Sequence, residues 1–268
     1  MTQFCTVERD GHLLVVTLNR PEVRNALHRP ATDELDQIWN DYERDPDLRV
    51  AILTGAGDKA FCAGYDMKEP SGAPGGAPGA PPSKSFLAVR HPRGIGGLAL
   101  RFDGNKPIIA AVNGVAVGGG FELALACDII VAAEQAEFGF PEPRIGRTAM
   151  DGGMHRLIRH VPLKVAMGML MTARRISAAE GWRIGLVNEV TPANDLMSAA
   201  RRWAQQILEC APLSVQGTKA AVTAGLGLPL PAAVALVPAA LAKSMSSEDH
   251  TEGVNAFLER RVPKWSGR

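Results

Sequence analysis

The chain has 268 residues, with 29 basic against 28 acidic side chains and a net charge of +1. That balance leaves no electrostatic footprint for nucleic acid or an anionic membrane surface. Its 28 glycines and 19 prolines exceed ordinary usage without reaching a fibrous or wholly disordered composition, so the chain reads as globular with a sizeable core.

In chain order, Leu13–Leu18 (LLVVTL) is the first expected strand. Thr32–Arg44 follows as a helix, with Leu35, Ile38, Trp39 and Tyr42 at helical spacing. Val50–Thr54 is a strand ending in Gly55. Pro70–Pro82 (PSGAPGGAPGAPP) holds 5 prolines and 4 glycines in 13 residues and is expected to be a mobile surface loop. A helix near Leu98–Phe102, a strand at Pro107–Val112, a short helix at Glu122–Ala126 and strands at Asp128–Ala132 and Val187–Val190 come next. The remainder reads as helical over Ala193–Glu209, Pro212–Ala224, Pro229–Ser244 and Glu248–Arg260. The fold class is therefore α/β, with a core over residues 1–192 and a helical region over 193–268.

Ala220–Ala242 carries no charge and is long enough to span a bilayer, but Pro229, Pro231 and Pro238 interrupt it. We read it as two packed helices around the GLGLPLP turn. The first residues lack the basic start and apolar run of a signal peptide. Cys5, Cys62, Cys127 and Cys210 show no metal-ligand spacing and read as reduced thiols in a soluble cytoplasmic protein.

Four stretches invite a chemical reading. Gly94–Ala99 spells GxGxxA, but a dinucleotide site needs a strand directly before it, and here His91-Pro92-Arg93 precede. Gly118-Gly119-Gly120 runs from an expected strand into a helix. Backbone N–H groups there suit an anion or a developing oxyanion, or the glycines simply permit a tight turn. Phe61-Cys62-Ala63-Gly64-Tyr65-Asp66-Met67 offers either another exposed N–H after Gly64 or a loop anchored by Phe61. Glu122 and Glu142 are candidates for paired acid/base work if burial raises a pKa. Otherwise Glu122 favours a helix N-terminus and Glu142 occupies a surface turn.

Read together, LNRPEVRNAL (Leu18–Leu27), FCAGYDM, NGVAVGGGFELALACDI, FGFPEPRIG, ISAAEGWRIGLVNEV and SSEDHTEGVNAFLERRVPKW resemble, in order and separation, the crotonase superfamily of enoyl-CoA hydratases and isomerases. The resemblance covers nearly the whole chain. It implies a spiral of ββα units with a C-terminal helical region, a homotrimer or dimer of trimers, an acyl-CoA substrate and no cofactor or metal beyond that coenzyme A. It places an oxyanion hole at the N–H groups of Tyr65 and Gly119, and the hydratase glutamates at Glu122 and Glu142. The CoA channel would be lined by Arg24 to Ala26 and by Ala63, Gly64, Asp66, Met67 and Lys68. Phe257 and Arg260 would add to CoA binding across a subunit contact. The Pro70–Pro82 loop would lie beside the acyl site as a lid.

The resemblance also shows departures. Where the family commonly reads GxxPGxGGTxRL, this chain has Ala149, Met150 and Met154 in place of Pro, Gly and Thr. Tyr65 is larger than the usual Ala. The lost proline, GGFELAL and the PKWSGR ending are similar to the carnitinyl-CoA dehydratase branch. The expected activity is reversible hydration of a 2-enoyl-CoA. The alternatives are a carnitinyl-CoA dehydratase-like reaction, Δ3-Δ2-enoyl-CoA isomerisation through Glu142, or a non-catalytic binding protein of the same fold.

Overall fold

The computed structural model describes residues 2–68 and 90–268. The Pro70–Pro82 segment, expected to be a mobile loop and lid, lies outside the described residues.

Two sheets organise the molecule. The larger contains β1 (Cys5–Asp10), β2 (Leu13–Leu18), β3 (Val50–Gly55), β5 (Ile108–Val112), β7 (Ile129–Ala133) and β10 (Glu189–Thr191), neighbours in that order. The smaller contains β4 (Ala60–Cys62), β6 (Val115–Val117), β8 (Glu137–Gly139) and β9 (Ile176–Ser177). From β3 to β4, from β5 to β6 and from β7 to β8 the chain lays one strand in each sheet, and equivalent strands pair in parallel. These turns are the ββα spiral that the sequence leads one to expect.

The long strands are apolar without interruption because both of their faces are covered. Leu14, Val16, Ala51, Leu53, Ala110 and Ile130 point into the main core, between the sheets and the helices α1 (Arg29–Arg44) and α2 (Gly119–Ala126). Three further helices, α3 (Gly153–His160), α4 (Leu163–Thr172) and α5 (Ala178–Arg183), precede β10. Leu13, Val15, Ile52, Ile109 and Val131 face the other way, against Leu196, Ala199, Ala200 and Ala204 of α6 (Leu196–Leu208). Among the described residues no strand follows residue 193, and α6 packs directly on the sheet.

Two expectations need correction. No α-helix forms at Leu98–Phe102. Instead a 3-10 turn occupies Ile95–Gly97, because Gly94, Gly96 and Gly97 take φ of 68°, 61° and 61°. The Gly96 carbonyl accepts from Trp39 Nε1 at 3.1 Å rather than from a helical N–H. Among the described residues no strand leads into this turn, in keeping with the sequence reading that it is not a dinucleotide site. Finally, the stretch after Ala220 folds as the end of α7 (Pro212–Gly225), α8 (Leu230–Ala235) and α9 (Ala239–Met245), three helices rather than two. Pro238 removes a donor and drives Val237 out of helical geometry, which splits the second expected helix. Among the described residues, no helix is long and apolar enough to cross a membrane. The last helix, α10 (Glu248–Leu258), precedes an irregular tail.

Candidate active site

The site forms where the small sheet delivers two backbone turns to one place. β4 and β6 pair in parallel, so the Ala63-Gly64-Tyr65 turn after β4 and the Gly118-Gly119 turn after β6 leave the sheet side by side. Their separation leaves no space for a side chain. A Cβ on Gly64 would stand 3.0 Å from the Gly119 nitrogen and 3.1 Å from the Val117 oxygen, and Gly64 has a φ of 90°. Gly119 opens α2, so its N–H has no carbonyl one turn earlier to receive it. The Tyr65 segment is held by Leu27, whose N–H donates to the Gly64 oxygen at 2.8 Å while the Asp66 N–H donates to the Leu27 oxygen at 3.0 Å.

Both turns open onto a cavity of about 350 Å³ whose lining includes Ala63, Tyr65, Gly119, Glu122, Glu142 and Met150. Glu122 lies one turn into α2 and is 2% exposed. Its Oε1 accepts the Gly153 N–H at 2.9 Å. Burial, then the neighbouring carboxylates of Asp151 and Glu142, push its pKa from 4.5 up to about 8, against the opposing N–H groups of Gly153 and Asp151. Glu142 begins the 3-10 turn Glu142–Ile145 across the cavity. Burial raises its pKa also, opposed by its own backbone N–H and by the Arg147 guanidinium. Among the described residues its buried Oε2 has no hydrogen-bond partner. Two carboxylates facing one cavity, one of them with an unused oxygen, can hold a small polar reactant and pass protons to and from it.

The Glu122 shift has a consequence for stability. Between pH 4.5 and about 8 the folded protein keeps a proton on Glu122 that the unfolded chain has lost. The unfolded state therefore binds fewer protons, and this contribution, complete at low pH, declines as pH rises through that window. Glu122→Gln removes the titration. Denaturant melts are expected to show the variant gaining on the wild type between about pH 5 and pH 8. A pH-independent difference would mean that Glu122 ionises normally in the folded protein.

The enoyl-CoA hydratase/isomerase family model matches residues 8–268. The chain belongs to the enoyl-CoA hydratase/isomerase family. It is 42% identical to the (E)-benzylidenesuccinyl-CoA hydratase of Thauera aromatica, over 98% of each chain. It is 40% identical to the carnitinyl-CoA dehydratase of Salmonella typhi over the whole of both. The crystal structure of an enoyl-CoA hydratase from Bacillus anthracis superposes with a TM-score of 0.88 at 33% identity, covering 99% of this chain and 100% of that one.

Within this member of the enoyl-CoA hydratase/isomerase family, the cavity brings together Ala63, Gly64, Tyr65, Met67, Gly119, Glu122 and Glu142 of the residues singled out from sequence. The others lie outside its lining. Arg24 is exposed with a φ of 55°, and its carbonyl accepts the Ala63 N–H at 3.0 Å. The buried Ala26 gives its carbonyl to Arg20 Nη1. Asp66 is engaged in an ion pair with Arg20 at 3.0 Å, and exposed Lys68 donates its N–H to Asp66. Phe257 is 81% exposed on α10, and Arg260 follows that helix with a φ of 54°. Of the replaced pocket residues, Met150 lines the cavity, Ala149 is buried and Met154 packs on the main core.

Asp151 escaped sequence reasoning, and nothing but its place before Gly152-Gly153 marked it. Its side chain is wholly buried. Its Oδ2 accepts the Ile95 N–H at 2.6 Å and the Tyr65 hydroxyl, while Arg90 Nη1 stands 3.5 Å from Oδ1. One carboxylate thus ties the Tyr65 turn to Ile95, whose side chain fills the space beneath Gly119. Asp151→Asn removes the negative charge that raises Glu122, so the Glu122-dependent limb of the pH–rate profile is expected to move to lower pH. An unmoved limb would show that the Asp151 charge does not reach Glu122.

Proposed function

We propose that the protein adds water reversibly across the C2–C3 double bond of a 2-enoyl-CoA thioester, with no cofactor beyond the coenzyme A of its substrate. The observation that carries this reading is the facing pair Glu122 and Glu142 in the same cavity as the Tyr65 and Gly119 turns. The thioester oxygen takes the two N–H groups of Tyr65 and Gly119. As electron density moves onto it, those donors stabilise the enolate, each worth on the order of 10²–10³ in rate. Water is held between the carboxylates. Its oxygen bonds C3, one carboxylate takes its proton, and the other carboxyl group delivers a proton to C2. Burial raises the pKa of both carboxyl groups, and the Glu142 charge adds to the rise at Glu122, which favours a protonated donor beside a carboxylate acceptor. Dehydration runs the same path backwards, and the likeness to a carnitinyl-CoA dehydratase supports that direction equally. An isomerase needs only Glu142, and the presence of Glu122 in the cavity favours the hydratase.

The CoA portion runs along Arg24–Ala26 and Ala63–Lys68. We place Phe257 and Arg260 at the same coenzyme from a neighbouring subunit of a cytoplasmic homotrimer or dimer of trimers. Apolar residues left open on the C-terminal helices, among them Leu230, Val234, Phe257 and Leu258, support self-association. Incubation with crotonyl-CoA, following loss of the enoyl-thioester absorbance, tests the reaction. Turnover of a 3-enoyl-CoA without hydration of crotonyl-CoA would replace the hydratase reading by the isomerase.

A further inference from the structure

Among the described residues, the charged groups lining the cavity are two glutamates and a single cation, Arg147. Arg147 lies two residues beyond the turn that Glu142 begins, and its N–H donates to the Glu142 carbonyl at 2.9 Å. From that anchor the half-buried side chain reaches towards the Tyr65 segment, where Nη1 lies 3.0 Å from Met67 Sδ. A thioether sulfur is a weak acceptor, and a guanidinium has five donors to place. Neighbouring arginines are matched by acids, Arg20 by Asp66 at 3.0 Å and Arg90 by Asp151 at 3.5 Å. Among the described residues, Arg147 forms no such ion pair, and the thioether is its hydrogen-bond contact.

We propose that Arg147 binds a carboxylate carried by the acyl chain, so that the substrate class is a coenzyme A monothioester of an unsaturated dicarboxylic acid. The inference rests on reading the cavity as the acyl-CoA site. A planar guanidinium meets a carboxylate through two parallel N–H bonds, a match that a neutral chain end cannot make. Met67, Ile145 and Met150 supply apolar wall for the carbons between the thioester and the acid. Burial holds the two glutamates towards their neutral forms, which reduces the negative charge opposing a second carboxylate. A cationic chain end at the same place would meet like charge.

Calorimetric binding of glutaryl-CoA and valeryl-CoA tests this, since these saturated esters differ by a terminal carboxylate. The wild type is expected to bind glutaryl-CoA about tenfold or more tightly than valeryl-CoA. In Arg147→Gln the ratio is expected to fall to within about twofold, and in Arg147→Lys part of it is retained. A wild-type ratio at or below one, or a ratio that survives in Arg147→Gln, overturns the proposal. Equal weakening of both esters in that variant also overturns it, because the guanidinium would then serve the CoA phosphates common to every thioester. Hydration of glutaconyl-CoA is followed separately. Its absence with the binding ratio intact removes the hydratase reading and leaves the carboxylate site standing.

Discussion

Glu122→Gln and Glu142→Gln are each expected to lower kcat/KM for crotonyl-CoA hydration by about 10²–10⁴-fold, the usual contribution of a positioned acid or base. Glutamine keeps the shape of glutamate but neither takes nor gives a proton, so the water loses its base or the enolate its proton donor. In Glu122→Gln the amide oxygen can still accept the Gly153 N–H that now bonds Oε1 at 2.9 Å, and the α2 backbone has no reason to move. Binding of a saturated acyl-CoA is therefore expected to change less than about threefold, which assigns the loss to chemistry. The double variant is expected to be little slower than either single one, because the two groups work on one water. Activity near the wild-type level in both single variants would sink the two-carboxylate mechanism.

Gly120→Ala is expected to be the most damaging small substitution in the fold. A Cβ at this position would lie 2.0 Å from the carbonyl oxygen of Cys62 and 2.6 Å from its carbon. Both are backbone atoms, at the end of the strand that leads into the Ala63-Gly64-Tyr65 turn. Relief requires α2 and β4 to separate, and that separation pulls the Gly119 and Tyr65 N–H groups apart. A loss of about 3 kcal/mol or more in denaturant melts is expected, at the upper end for overpacking. Hydration should fall more steeply than stability, since oxyanion geometry is sensitive to small displacements. Gly168→Ala is the internal control: it lies within α4 with nothing within 4 Å of the added Cβ. There helix propensity alone applies, and a gain of about 0.5–1 kcal/mol is expected. Comparable melts for the two variants would show that the Cys62 contact relaxes without cost.

The long strands and α1 were legible because burial on both faces, or on one helical face, leaves its mark in the local pattern. Leu13–Leu18 and Trp39 are examples. β1 was not, since five of its six residues are exposed on a sheet edge and carry little apolar pattern. The smaller sheet was also hard to see. Its strands are two or three residues long and gain stability from neighbours distant in sequence, not from local propensity.

The same division runs through the site. Residue order alone pointed to the family, to the two glutamates and to the glycines of the two turns, because those features are local and survive in motif spacing. The clustered glycines that at first only counted against a fibrous chain proved to be points of backbone contact, Gly64 against Gly119 and Gly120 against Cys62. Only the tertiary structure showed which groups surround Glu122 and which residues line the cavity. Asp151 reaches Tyr65 across 86 positions and Arg147 reaches Met67 across 80. Desolvation and charge–charge coupling depend on distances in space, and chain position does not set those distances until the two sheets have brought the turns together.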